Sequence, residues 1–220
     1  FSNFILADEV NRAPPKVQSA LLEAMQEKQA TIGKETFPID MPFFVLATQN
    51  PIETLGVYTL PEAQIDRFLF KIVMPYPTKE EEKNIIEQNI TMYRFENFKI
   101  KPILSPSRIL ELQELTKSIS HSDSIKEYIV DITDSTRNPD KYKLKTGRYI
   151  ELGTSPRASI GLFIGAKADA IMRGDSYIRP QHVKNVAYEV LRHRILLNFE
   201  AERKGLTPDG AIKMLLDKIK

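Results

Sequence analysis

The chain has 220 residues, enough to bury a real core in one or two domains, and its 42% apolar and 27% charged content is that of an ordinary globular protein. With 31 Lys and Arg against 29 Asp and Glu, the net charge of +2 gives no general pull toward nucleic acid or an anionic membrane, so a role on DNA would need a local basic patch. There is no cysteine, which excludes disulfide staples and thiolate ligands or nucleophiles, and with no apolar run near the ~18 residues of a membrane span and no signal peptide, a soluble cytoplasmic protein is expected.

Phe4-Ile5-Leu6-Ala7 is a short unbroken apolar run, the pattern of a strand buried on both faces, and Asp8-Glu9 stands where that strand leaves its sheet. Parallel sheets put ligand sites at such ends, and adjacent strand residues point to opposite sides, so one carboxylate can stand near a metal while the other faces a water molecule. The same residues also describe a strand that runs out into a solvated turn. The chain opens on Phe rather than Met, almost on top of this strand, and so reads as a piece of a longer protein.

Pro14-Pro15 suits a first helical turn, and Val17, Ala20, Leu21, Ala24 and Met25 recur at helical spacing, which predicts a helix with one face on the sheet. Ala30-Thr31-Ile32 and Thr36-Phe37-Pro38-Ile39 flank Gly33 as a hairpin. Gly33-Lys34 is not a phosphate-binding loop, because Lys28 stands where the first glycine is needed and Glu35 replaces the Ser or Thr, and G-x-x-x-x-G-K-[ST] occurs nowhere in the sequence. A second apolar run, Phe43-Phe44-Val45-Leu46-Ala47, ends in Thr48-Gln49-Asn50; residues 54–60 read as a loop, 62–67 as a short helix and 69–74 as a third strand.

Pro75-Tyr76-Pro77 blocks both helix and central strand and marks the domain boundary. Beyond it the period is helical. Thr78 with Glu81 makes a capping box before a helix over 79–91, Ser105-Pro106 opens one with Ile109, Leu112, Leu115 and Ile119 on a face, and a third covers 124–135. Residues 138–152 are polar and loop-like, with room for a short strand. Ser155-Pro156 caps a helix carrying Ile160, Phe163, Ile164 and Ala168 toward the core, Arg179-Pro180 opens another with Val183, Val186, Val190, Leu191 and Ile195, and a last helix spans 208–219. His121, His182 and His193 are dispersed and read as surface or capping residues, while Met25, Met74, Met92, Met172 and Met214 read as core filler.

Taken in order, Asp8-Glu9, Asn50, Arg67 within Leu60-Pro61-Glu62-Ala63-Gln64-Ile65-Asp66-Arg67-Phe68, and Arg157 within Gly153-Thr154-Ser155-Pro156-Arg157-Ala158 resemble the motif series of the AAA+ ATPases, and in detail the MoxR family. Each motif alone is weak, but four in the right order over nearly the whole chain are specific. The resemblance implies an α/β fold: part of a P-loop parallel-sheet core over residues 1–76, then an all-helical lid over 77–220. It implies ATP and Mg2+ as cofactors, with Asp8 of the Walker B motif holding a water of the metal shell and Glu9 polarising the attacking water. Asn50 becomes sensor 1, Arg67 an arginine finger reaching the next subunit's γ-phosphate, and Arg157 the sensor 2 arginine. Asn11 and Arg12 fall in the extended Walker B signature, with Arg12 either solvated or facing a neighbouring subunit. The hairpin is either a pore-lining pre-sensor 1 hairpin or an ordinary surface one.

Arg157 carries a physical hint of its own. An arginine in a first helical turn meets the positive end of the helix dipole, which disfavours it by ~0.3–1 kcal/mol unless an anion is near. A phosphate would supply that anion, and so would a carboxylate such as Glu151. Without a phosphate cradle, and without the P-loop strand that would lie between runs 43–47 and 69–74, two unpaired edges are expected and the chain alone should not turn over ATP. The implied parent is a ring ATPase, expected to be a hexamer, that remodels or matures partner proteins, among them von Willebrand factor A domain proteins. A related AAA+ motor on DNA, for which the hairpin offers little beyond Lys28 and Lys34, and a non-catalytic assembly module are the alternatives.

Overall fold

The computed structural model describes residues 2–50, 56–90 and 100–219. β1 (Phe4–Ala7) and β4 (Phe44–Ala47) pair in parallel, in register from Phe4 against Phe44 to Ala7 against Ala47. Parallel strands need a crossover, and here it consists of α1 (Pro15–Glu27) and the hairpin of β2 (Gln29–Ile32) and β3 (Glu35–Pro38). Gly33, at φ +67°, makes the hairpin turn a side chain would strain. Ala24, Ile39 and Phe43 form a small core here, with Ile5, Ala30 and Val45 packed against it.

Only one face of the strand pair is covered by these elements. Ile5 and Val45 are half-buried, whereas Phe4, Leu6, Phe44 and Leu46 are 50–66% exposed. The expectation of a strand buried on both faces is therefore corrected: α1 and the hairpin cover one side, and an unbroken apolar run does not reveal which of its faces is covered. The predicted strand over 69–74 is likewise absent; that stretch is irregular, with Ile72, Val73 and Met74 exposed. A strand exists only as half of a pair, and among the described residues the strand partner of β4 is β1. α2 (Glu62–Ile65) stops short of Arg67.

Past the proline pair, α3 (Lys79–Ile90) starts at the predicted capping box, where Glu81 accepts from the Thr78 N–H at 2.8 Å; Thr91 and Met92 lie outside the described residues. α4 (Pro106–Ser118), α5 (Asp123–Arg137), α6 (Pro156–Met172), α7 (Pro180–Leu191), α8 (Phe199–Arg203) and α9 (Pro208–Lys218) follow. Within 138–152 the chain makes two single 3-10 turns and then β5 (Ile150–Leu152), which pairs antiparallel with β6 (Leu196–Leu197). Ser105, Ser122, Ser155, Asn198 and Thr207 each accept a backbone N–H as N-caps, fixing five helix starts.

The helical core centres on Ile132, Leu162, Val183, Val190, Leu191, Ile212 and Leu215, from α5, α6, α7 and α9. α6 presents Ala158, Leu162, Ala166 and Ala170 to it; of the predicted face Phe163 does pack against this core, while Ile160 and Ile164 are 58% and 47% exposed, which corrects those two. Small residues let α6 and α7 approach closely. A Cβ on Gly161 would lie 3.1 Å from Val190 and one on Gly165 3.2 Å from Val186. Met74, Met172 and Met214 are exposed rather than core filler, and His182 and His193 are buried, although His182 does cap α7 by accepting the Arg179 N–H at 3.1 Å.

Candidate functional site

The parallel ladder continues one step past the strands, since the Thr48 N–H reaches the Ala7 carbonyl at 3.0 Å and the Val10 N–H reaches the Thr48 carbonyl at 3.0 Å. Asp8 and Thr48 are thereby set side by side at the carboxyl end of the sheet. The Thr48 hydroxyl donates to Asp8 Oδ1 at 2.5 Å and accepts the Glu9 N–H at 2.8 Å, so one side chain joins both acidic residues. Glu9 sits at φ 47°, ψ 52°. A non-glycine residue held left-handed costs roughly 1–3 kcal/mol and persists where its surroundings over-determine it. That turn, and not strand alternation, parts the two carboxylates: Asp8 faces Thr48, and Glu9 pairs with Arg12 Nε at 2.9 Å. Arg12 is thus tied to Glu9 within its own chain.

Behind the acidic pair lies a polar brace. Gln18 of α1, 3% exposed, donates to the Val10 carbonyl at 3.1 Å and the Tyr58 carbonyl at 3.0 Å. The Tyr58 N–H reaches the Asn11 carbonyl at 2.7 Å, and the Asn11 amide reaches the Asn50 carbonyl at 3.4 Å. Asn50 is in this way docked beside the strand end that carries Asp8 and Glu9. Asn11 Oδ1 is buried without a hydrogen-bond partner. Neither Gln18 nor Thr48 was singled out by sequence, and the predicted face of α1 is corrected with them: Val17 and Ala20 are exposed, and the buried residues of the helix are Gln18, Leu22 and Ala24.

Arg157 pairs with a different acid, Asp66, which directly precedes Arg67 in the chain. Asp66 takes the Ser155 hydroxyl at 3.0 and 2.8 Å on its two oxygens, Arg157 Nη1 at 3.3 Å and Arg194 Nε at 2.8 Å. Arg157 does lie in the first turn of α6, and its anion is Asp66, not Glu151. Burial works to raise the Asp66 pKa, but the Ser155 hydroxyl and the Arg194 and Arg157 guanidiniums outweigh it and hold the acid below its usual range. Arg67 is exposed, and its Nη1 donates to Gln26 Oε1 at 2.5 Å. The structure therefore brings Asp8, Glu9 and Asn50 to one strand end, and joins Arg157 to the acid that immediately precedes Arg67.

As for cofactors, a magnesium ion carried on nucleotide phosphates keeps several waters and needs only one or two carboxylates. The exposed Asp8 carboxylate with its Thr48 hydroxyl fits that demand.

Comparison with known proteins identifies the family. Residues 1–70 match the family model described as ATPase family associated with various cellular activities (AAA), and residues 144–213 match the AAA lid domain. The chain is 44% identical to Chaperone MoxR1 of Mycobacterium tuberculosis, over 99% of its own length and 57% of that protein. It is 39% identical to YeaC of Bacillus subtilis, over 99% of its length and 65% of that protein. A crystal structure of a Cytophaga hutchinsonii protein assigned as an ATPase superposes with a TM-score of 0.93 at 47% identity, covering 100% of this chain and 66% of the other. The chain thus spans less than two thirds of each of these relatives, and it belongs to the AAA ATPases, among the MoxR-type proteins.

Proposed function

We propose that the protein is a cytoplasmic, ring-forming MoxR-type ATPase that hydrolyses ATP to remodel or mature partner proteins. Residues 1–76 would contribute to its nucleotide-binding domain and residues 77–220 form its lid. The observation that carries this reading is the strand end at which the Thr48 hydroxyl joins the Asp8 carboxylate to the backbone of a left-handed Glu9, with Asn50 docked alongside. Asp8 would hold a water in the shell of a magnesium ion, which supplies neutralisation of the phosphate charge when bound. Glu9, once turned from Arg12, takes the proton of the attacking water. The Asn50 side-chain amide, able to donate and accept at once, holds that water in line.

Arg157 acts on the phosphates of its own subunit and Arg67 on those of the next, in a ring we take to be a hexamer. Because the sequence contains no G-x-x-x-x-G-K-[ST], the phosphate cradle comes from residues outside it, and these 220 residues alone should not turn over ATP. MoxR1 is named a chaperone; the same role is proposed here, with von Willebrand factor A domain proteins among the partners.

The two carboxylates supply the test. In the full-length protein, Glu9→Gln should bind ATP with Mg2+ as before and nearly cease hydrolysis, whereas Asp8→Asn should lose Mg2+-dependent affinity together with rate. Nucleotide titrations with and without Mg2+ decide. Loss of Mg2+-dependent affinity in Glu9→Gln but not in Asp8→Asn would reverse the two roles, and unchanged hydrolysis in both would end the proposal.

A further inference from the structure

Three consecutive residues at the end of α7 grip the segment that carries Arg67. Arg192 Nη1 donates to the Lys71 carbonyl at 2.8 Å and His193 Nε2 meets the Phe68 carbonyl at 3.0 Å. Arg194 does most. A guanidinium offers five N–H donors in a rigid fork, and here every one has an acceptor. Nε donates to Asp66 Oδ1 at 2.8 Å, Nη1 to the Leu69 carbonyl at 3.2 Å and to the Val190 carbonyl, and Nη2 to the Asp66 carbonyl at 2.9 Å and the Phe68 carbonyl at 2.6 Å. The last two carbonyls flank Arg67 on either side. The Arg194 side chain is 3% exposed, so this is a buried strap.

We infer that Arg194 is a positioning residue for Arg67: it fixes the backbone on both sides of that arginine to the lid, so that the Arg67 guanidinium is presented to the neighbouring subunit. The inference rests on the reading that Arg67 acts in trans. Its geometric content is separate. Arg67 has a long exposed side chain whose tip donates to Gln26, and the aim of such a side chain depends on where its backbone is held. A strap on the two adjacent carbonyls sets that aim, and a strap that also holds Val190 makes the lid its reference frame. Lysine cannot replace it, having three donors on a flexible stem in place of a planar fork.

Subunit mixing in the full-length protein tests this, because a finger defect appears at the neighbour's site and a folding defect at its own. Arg194→Met should lower ATP turnover by at least about tenfold, within the ~10³–10⁵ that such a finger contributes, while rings still assemble. Mixing Arg194→Met subunits with Glu9→Gln subunits should then restore activity, at interfaces where the intact Glu9 of one meets the intact Arg67 of the other. Arg67→Ala mixed with Glu9→Gln is the control. Recovery in the control without recovery for Arg194→Met overturns the positioning role alone. No recovery in either, with mixed rings verified, removes the trans reading and this inference with it. Arg194→Lys, which keeps the charge beside Asp66, should behave as Arg194→Met does; full activity in that variant, or failure of both variants to assemble, would also overturn the inference.

Discussion

His193 makes the junction between lid and Arg67 segment sensitive to pH. Its ring is buried, its Nε2 meets the Phe68 carbonyl at 3.0 Å, and its Nδ1 has no hydrogen-bond partner. Burial, with the neighbouring Arg194 charge, pushes its pKa from 6.5 down to about 4 against the opposing pull of the Phe68 carbonyl. Between those values the unfolded chain takes up a proton that the folded chain refuses, so stability is lost as pH falls from about 6.5 to about 4 and the loss levels off below. A separation of ~2.5 pH units at ~1.36 kcal/mol each is about 3 kcal/mol. Asp66 does not confuse the result: its pKa is lowered from 3.8, so its contribution is present above that value and lost only below it. His193→Gln places an amide N–H near Nε2 and removes the titration. Urea unfolding from pH 7.5 to pH 4 should show the unsubstituted protein losing about 3 kcal/mol more than His193→Gln. Equal losses in the two proteins would refute the assignment of a neutral, buried imidazole.

Two further perturbations probe the brace behind the acidic pair. Gln18→Leu takes the amide donor from the Tyr58 carbonyl and leaves the Val10 carbonyl with the Ala13 N–H at 3.2 Å alone, and at ~1–3 kcal/mol for a buried group left unpaired the protein should lose about 1 kcal/mol or more in chemical denaturation; an unchanged midpoint would mean that water replaces the amide. Thr48→Val keeps the shape of the side chain but removes the hydroxyl that joins Asp8 to the Glu9 backbone, and steady-state hydrolysis by the full-length protein should fall about tenfold or more, with Thr48→Ser restoring it; a wild-type rate in Thr48→Val would show that Glu9 holds its turn without that hydroxyl.

Features encoded within a few residues were legible in the sequence. Thr78 with Glu81, Ser105-Pro106 and Ser155-Pro156 mark helix starts because a cap acts on N–H groups two or three residues away, and Gly33 marks a hairpin because a single residue must take the positive φ. What failed depended on partners far along the chain. The stretch 69–74 has the composition of a strand but, among the described residues, no strand beside it. On α6, periodicity favoured the largest side chains, yet the face that packs on α7 is the one whose glycines and alanines permit close approach, and Ile160 and Ile164 are left outside. Strand alternation parted Asp8 from Glu9 on paper, whereas the backbone does so by a left-handed turn, which nothing in the residue type Glu announces.

The candidate site divides along the same line. Asp8, Glu9, Asn50, Arg67 and Arg157 stand out because each sits in a short motif, but the acid that organises two of them does not. Asp66 was only a letter inside the Arg67 motif, and Arg194 lies 128 residues further on, in a run of Arg192, His193 and Arg194 between apolar residues. A buried arginine has no local signature. The available hint was the cost of leaving three such side chains at the end of an amphipathic helix without acceptors. With those acceptors known, Arg157 and Arg67 are not independent cations. One carboxylate faces Arg157 at 3.3 Å and Arg194 at 2.8 Å, and Arg194 holds the two carbonyls that flank Arg67. Any anion that draws Arg157 away therefore leaves Asp66 to Arg194 and Ser155 alone, and it alters the charge balance of the strap that sets where Arg67 points.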